Sequence, residues 1–139
     1  LFKDFKPETK KVTLIVGTGV DLIEIERVKA AHQKHGERFI KRLFTVEEAA
    51  YCLKKSDPYP SLAGRFAAKE AAIKAFSHGF GGRWKWTHME VAREMSGKPT
   101  LRLFGVMEEL RLERGINRVH LSIAHSKRDA TATVILEKN

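Results

Sequence analysis

The sequence carries a single cysteine, Cys52, among 139 residues. One thiol excludes a disulfide framework and any zinc site built on cysteines, and it is the usage of a reducing, intracellular compartment. No apolar run approaches the roughly 20 residues that cross a bilayer, and no secretory apolar segment is visible. A membrane role is therefore not expected. Prolines number only four. There is no internal repeat, no low-complexity tract and no long linker, so nothing divides the chain in two. It opens on Leu1 rather than Met, as a processed or trimmed form would.

What is present reads as an ordinary globule, with 42% hydrophobic and 31% charged residues. A chain of this length forms one domain that buries roughly two-thirds of its unfolded surface, without staples. The expectation is a loose polar arm over 1–11 and a single domain over 12–139. The net charge of +9 draws acidic partners: nucleic acid, anionic lipid, a phosphate-rich cofactor or an acidic protein.

Val12 to Val20 is β-branched and reads as a buried strand. Asp21, with Glu24 three residues on, resembles a capping box opening a helix through Ile25, Val28 and Ala31. Gly36 breaks that helix, and a basic stretch with Arg38, Lys41 and Arg42 follows. Thr45 is an N-cap candidate with Glu48 at N3. Ser56 to Pro60 reads as a break, after which Ser61 caps an alanine-rich helix over about 62–76. The later chain predicts strands at 88–93 and 100–103 around Ser96-Gly97-Lys98-Pro99, and a helix over 106–114 ended by Gly115. Two alternating strands, 118–125 and 130–136, form a hairpin. The fold class is α+β, with helices in the first half and an antiparallel sheet in the second.

Several residues admit two readings. Asp21 is either a helix cap or a metal-binding carboxylate at a strand end. Glu70 and Lys74, four apart, suit a surface ion pair. They share a helix with Arg65 and Lys69, however. One acid among three cations suits a divalent ion bridging carboxylate to phosphate. Gly17-Thr18-Gly19 lacks the third glycine of a dinucleotide fingerprint, Leu22 standing at that place. His120 and His125 fall on opposite faces of a strand and cannot share a metal from one side.

Taken together, the motifs resemble the 4′-phosphopantetheinyl transferases, in the compact branch of holo-acyl-carrier-protein synthase type. The resemblance is carried by Gly17-Thr18-Gly19-Val20-Asp21-Leu22, by Arg65 to Phe76 with its Lys69-Glu70-x-x-x-Lys74 core, by Ser96-Gly97-Lys98-Pro99, and by Val119 to Ser126. It covers roughly residues 14–136.

It implies an α+β unit assembling as a homotrimer, with active sites between neighbouring subunits. It also implies magnesium-dependent transfer of the pantetheine arm of coenzyme A to a carrier-protein serine. Asp21 and Glu70 would bind the metal, with Glu70 or a water at the metal as base. Lys74 would neutralise the pyrophosphate. Arg65 and Lys69 would hold cofactor phosphates, the 3′-phosphate among them, Pro99 and its turn the nucleotide, and His120 the pyrophosphate. Gly79 stands in the loop that contacts the cofactor. There the sequence departs from the family's Gly-Thr-Gly, with Ser77-His78-Gly79 in its place. Arg27, Lys34, Arg38, Lys41 and Arg42 would dock an acidic acyl carrier protein. A cytoplasm or a mitochondrial matrix would suit this role. Two rival classes remain. One is a small nucleic-acid-binding module with Trp84 and Trp86 as stacking platforms, a role the family resemblance does not include. The other is a non-catalytic subunit of a larger synthase.

Overall fold

Residues 12–139 are described by the computed structural model; the arm expected at 1–11 lies outside the described residues. A strand, β1 (Leu14–Glu24), opens the fold. Three short helices follow: α1 (Ile25–His35), α2 (Glu37–Leu43) and α3 (Val46–Leu53). The long helix α4 (Tyr59–Phe76) comes next, then a single 3₁₀ turn at Trp86–His88. The chain ends through β2 (Met89–Arg93), β3 (Pro99–Leu103), α5 (Gly105–Glu113), β4 (Ile116–His125) and β5 (Asp129–Lys138). The main sheet is antiparallel in the order β1-β5-β4, and β2-β3 is a separate hairpin. No helix among the described residues is long and apolar enough to cross a membrane.

β1 runs four residues past the expected helix start. Its ladder with β5 continues through Asp21↔Ala132 and Ile23↔Ala130 to Glu24↔Asp129. Asp21 is therefore a strand residue rather than a cap, and α1 starts at Ile25 without a side-chain cap. Nor is β1 the buried strand its composition suggests: Leu14, Ile15, Val16, Val20 and Leu22 are all exposed. At Thr45 the sequence expectation holds, as its side chain and that of Glu48 form a capping box. Ser61 is not a cap. α4 begins at Tyr59, with Pro60 in its first turn, where a missing N–H leaves no hydrogen bond unmade. The basic stretch after Gly36 is itself a helix, α2.

α4 lies across one face of the main sheet, and its alanines let it lie close. Ala67, Ala68, Ala71, Ala72 and Ala75 pack with Ala132, Val134, Leu136 and Leu121 in the principal core. A second apolar cluster sits under α1–α3, around Val28, Leu43, Phe44, Cys52 and Leu62. The closest approach is at β1, where Gly17 and Gly19 face α4. A Cβ on Gly19 would stand 1.9 Å from the Ala71 carbonyl oxygen, and one on Gly17 would stand 2.1 Å from that of Ala75. Both obstacles are backbone and cannot rotate away. The two glycines serve packing, and packing holds β1 against the helix that carries Glu70 and Lys74.

Gly19→Ala is therefore expected to lower stability by about 1–3 kcal/mol, the usual range for overpacking. The denaturant midpoint reads this. Gly82→Ala, where an added Cβ meets nothing, is the control and should change little.

Candidate active site

Asp21 is carried by β1 on the sheet face turned to α4, because its cross-strand partner Ala132 is buried in the core. Glu70 lies on α4. They stand 49 positions apart in sequence, yet both line one cavity of about 370 Å³, together with Ile23, Arg27, Val28 and Phe66. Lys74, one turn further along α4, reaches across to β1. Its ammonium donates to Asp21 Oδ1 at 2.9 Å and to the Val20 carbonyl at 3.1 Å. Lys74 thus pairs with the distant Asp21, rather than with Glu70 along its own helix.

The electrostatics match this arrangement. Burial, and then the nearby negative charge of Asp21, push the Glu70 carboxyl above its ordinary range, and Lys74 only partly opposes them. The hydrogen bond from Lys74 to Asp21, and their charge pairing, push the lysine up. Two carboxylates converge with one ammonium beside them, and the second acid is under-neutralised. Among the described residues no group of three or more His, Cys, Asp or Glu side chains gathers for a metal. A two-carboxylate set is the donor chemistry of a hard cation that keeps waters and takes substrate phosphate for its remaining positions. Magnesium fits that set.

The other expected residues divide. Lys69 faces away from the cavity and is fully buried. Its ammonium donates to Glu48 Oε1 and to the Leu43 carbonyl, each at 2.6 Å. It has no hydrogen left facing solvent, and the expectation that it holds phosphate is corrected: it neutralises Glu48. Glu48 in turn accepts from the Thr45 and Val91 amides. Burial pulls the Lys69 ammonium below its usual range, although Glu48 opposes this.

Arg65 is also buried, at 4% exposure, but it has no carboxylate partner. Its guanidinium lies 4.4 Å from the ring centre of Tyr51. Lys55 at 4.6 Å and Arg93 at 5.6 Å flank the same ring. Burial raises the Tyr51 phenol, but the hydrogen bond from Lys55 and the charges of Arg93, Lys55 and Arg65 outweigh it and bring the net shift down. The gathering of Tyr51, Lys55 and Arg93 around Arg65 is not legible in the sequence. They come from α3, the loop after it and β2, and only the fold gathers them. Pro99 pairs with Arg93 across the β2-β3 hairpin, so its turn adjoins this cluster.

His120 is on the wrong face for this chain's own cavity. It pairs with Ile135, three positions along β5 from Ala132, and therefore points away from α4. It contacts Glu137 at 3.2 Å. In the loop after α4, Ser77 has φ of 61°, a left-handed value that favours glycine. Where the family pattern has glycine, this chain thus places a serine in a conformation that glycine adopts more readily. Gly79 follows with φ of 86°, and the Arg114 guanidinium holds the carbonyls of Phe76 and His78.

The five residues expected to dock a carrier, Arg27, Lys34, Arg38, Lys41 and Arg42, are all exposed. Arg27 lines the acidic cavity. Arg38 and Arg42 line a smaller one beside it, and Phe39 borders both. Lys41 is partly offset by Glu37 at 3.3 Å, and Lys34 borders neither cavity. Trp84 and Trp86 are half-buried and stack edge-on with each other at 4.8 Å, between Phe80 and Phe66. They are not the exposed platforms that nucleic-acid stacking needs.

The chain matches the 4′-phosphopantetheinyl transferase superfamily over residues 17–134. It is 46% identical over 121 residues to the holo-[acyl-carrier-protein] synthase of Chlamydia trachomatis serovar D, covering 87% of this chain and 98% of that one. Among solved structures it resembles the holo-[acyl-carrier-protein] synthase of Neisseria meningitidis, with a TM-score of 0.82 and 32% identity over 90% of this chain and all of the other. A holo-(acyl-carrier-protein) synthase from Bacillus anthracis, solved in complex with CoA (3′,5′-ADP), superposes with a TM-score of 0.73 at 35% identity, covering 90% of this chain and 98% of that one.

Proposed function

The chain belongs to the 4′-phosphopantetheinyl transferase superfamily, and on that premise we propose how its site works. The reaction is transfer of the 4′-phosphopantetheine group of coenzyme A to a serine of an apo acyl carrier protein. The observation that carries the assignment of residues is the meeting of Asp21 and Glu70 in one cavity beside Lys74.

Asp21 and Glu70 would hold a magnesium ion, which would supply charge stabilisation to the transferring phosphoryl group. The chain's own groups do the rest. Lys74, fixed by the Val20 carbonyl, stands at the carboxylate pair and neutralises charge on the departing nucleotide. The serine oxygen forms its bond to the β-phosphorus of coenzyme A while the bond from that phosphorus to the bridging oxygen breaks. The leaving group is adenosine 3′,5′-bisphosphate. Glu70, or a water beside it, accepts the serine proton.

Arg65 provides the phosphate contact that Lys69 does not, with Pro99 and its turn beside it at the nucleotide. His120 and the exposed Val20 and Leu22 share the sheet face that α4 leaves open. A trimer that covers this face brings His120 to a neighbouring copy's site, so an oligomer completes a constellation that one chain holds only in part. Gly79 and its loop, fixed by Arg114, supply backbone contacts to the cofactor. An intracellular compartment, cytoplasm or mitochondrial matrix, suits the activity.

Incubation with coenzyme A, magnesium and an apo carrier protein tests the assignment. The carrier should gain the mass of one phosphopantetheine arm, and no gain without magnesium. A carrier left unmodified under saturating conditions would overturn it. The acidic carrier docks on Arg27 at the cavity and on Arg38 and Arg42 at the smaller one beside it, with Lys34 and Lys41 at the edges. Reversing Arg27 and Arg38 to Glu is expected to raise the KM for the carrier by on the order of tenfold or more, since like charges now face each other across the interface. The KM for coenzyme A should barely move. Equal rises in both would place docking elsewhere.

A further inference from the structure

The chain leaves α4 through a residue in an unfavourable shape. Ser77 has φ of 61° with ψ of −33°, and the His78 amide donates back to the Phe76 carbonyl at 2.8 Å. Positive φ with negative ψ across such a bond is the rare, strained form of the three-residue turn. Glycine adopts positive φ at little cost; a serine, with its Cβ, does not. Strain of this kind persists only where the surroundings impose it. Here the imposing group is Arg114. Its guanidinium donates from Nη1 to the Phe76 carbonyl at 2.6 Å and from Nη2 to the His78 carbonyl. These carbonyls stand on either side of Ser77, so the fork holds the chain both before and after the turn. Arg114 is itself fixed at its root. It is the C-cap of α5, its amide bonds the Leu110 carbonyl at 3.0 Å, and Val106, Met107 and Leu110 anchor α5 in the core. Gly79, at φ of 86°, lies against the same guanidinium: an added Cβ would stand 2.6 Å from Nη2. The 2.8 Å bond between the Ser77 hydroxyl and the His78 ring joins exposed side chains and does not set the backbone.

We infer that Arg114 is a positioning residue for coenzyme A binding: it forces the Ser77–Gly79 loop into a shape that a glycine at 77 would take unaided. This rests on the reading that the loop contacts the cofactor, and goes beyond it by naming what sets the loop's shape and why this chain needs the brace. The serine creates the need and the arginine meets it, so the two residues act as a pair. Charge-assisted bonds to two carbonyls are of the strong kind and hold the turn. Without them the competent loop shape becomes a minor population, and the apparent affinity falls by that fraction. Arg114 touches backbone carbonyls rather than the reacting atoms. Its loss therefore falls on the affinity for coenzyme A and not on the chemical step.

The experiment introduces Arg114→Ala into the wild type and into a Ser77→Gly background. It measures the Kd for coenzyme A by titration calorimetry with magnesium and without carrier, and then kcat and the KM for the carrier. In the wild-type background Arg114→Ala should weaken coenzyme A binding about tenfold, the effect of a competent shape reduced to roughly one molecule in ten. At saturating cofactor, kcat and the carrier KM should stay within about twofold, which also reports that the variant is folded. In the Ser77→Gly background the same substitution should weaken binding by less than about threefold, because glycine keeps the turn without the brace. That difference between backgrounds is the coupling of the pair, and an arginine that only stabilised the fold would not produce it. Equal losses in the two backgrounds, or no loss in the wild-type background, would overturn the inference. Gly79→Ala separates that failure from failure of the underlying reading, because it disturbs the loop whether or not Arg114 matters. If Gly79→Ala weakens binding and Arg114→Ala does not, the inference alone falls; if Gly79→Ala binds coenzyme A normally, the loop does not touch the cofactor and both fall. Should Arg114→Ala fail to fold, Arg114→Lys takes its place in both backgrounds. A single ammonium cannot reproduce the fork, and a smaller loss of about threefold, confined to the wild-type background, is then the expected result.

Discussion

Glu70→Gln is expected to lose magnesium-dependent transfer by on the order of a hundredfold or more, while the metal-free variant melts at a higher temperature than the metal-free wild type. The loss follows from the donor set. Among the described residues only two carboxylates, Asp21 and Glu70, face the cavity, and an amide is a poorer ligand for a hard cation and no base at all. Removing several kcal/mol of charge stabilisation from phosphoryl transfer amounts to two or more powers of ten. The stability gain follows from the same geometry. Burial and the charge of Asp21 favour the protonated form of Glu70 in the fold. Its folded pKa lies above the ordinary value of 4.5, so its favourable contribution is complete below that value and is lost as pH rises through the folded pKa. At neutral pH the ionised side chain therefore opposes folding of the metal-free protein, and a neutral amide removes the opposition.

Thermal melts at pH 7 and pH 4, with and without magnesium, separate these effects. At pH 7 without metal the variant should melt higher, and at pH 4 the gap should close. Saturating magnesium should raise the wild-type melting temperature by mass action and leave the variant unmoved. Near-normal turnover by Glu70→Gln at saturating magnesium would remove both the metal-binding and the base role from this residue.

Much of this site could be read from the chain. The motif residues Asp21, Glu70 and Lys74 meet as the resemblance implies, and the Thr45–Glu48 capping box, the β2-β3 hairpin, α5 and the β4-β5 pair fall near their expected places. The errors have identifiable physical causes. The local capping signal of Asp21 and Glu24 lost to a ten-residue ladder with β5, whose pairing continues past it. The proline at 60 looks like a break but is harmless in a helix's first turn. α4 is the instructive case. It is buried on nearly all sides, so its sequence has no polar stripe to show which of its cations is inside. Spacing puts Arg65, Lys69 and Lys74 on one helix. Only the partners, Tyr51, Glu48 and Asp21, show that one lies against a ring with no carboxylate, one is spent in the core and one pairs with a carboxylate of the cavity.

The identity of the buried cation has a measurable consequence, the second large effect. Lys69→Met should destabilise the protein by roughly 3–5 kcal/mol, because it leaves Glu48 charged, buried and short of its cation. Glu48 still accepts from the Thr45 and Val91 amides, but those bonds do not cancel a full charge at zero exposure. Adding Glu48→Gln to Lys69→Met removes the stranded charge and should recover a substantial part of the loss, since a buried pair is often worth little over neutral replacements of similar volume. Denaturant midpoints for the two single variants and the double variant give the coupling between them. The discriminating measurement is kinetic. If Lys69 bound coenzyme A, Lys69→Met would raise the KM for coenzyme A and change stability little. As a core lysine it should do the reverse: at a temperature where the variant remains folded, its KM for coenzyme A should match the wild type. The site at Asp21 and Glu70 would then stand on a helix whose inner face is held by an ion pair of its own, one that binds the α2–α3 junction to α4 without entering the chemistry.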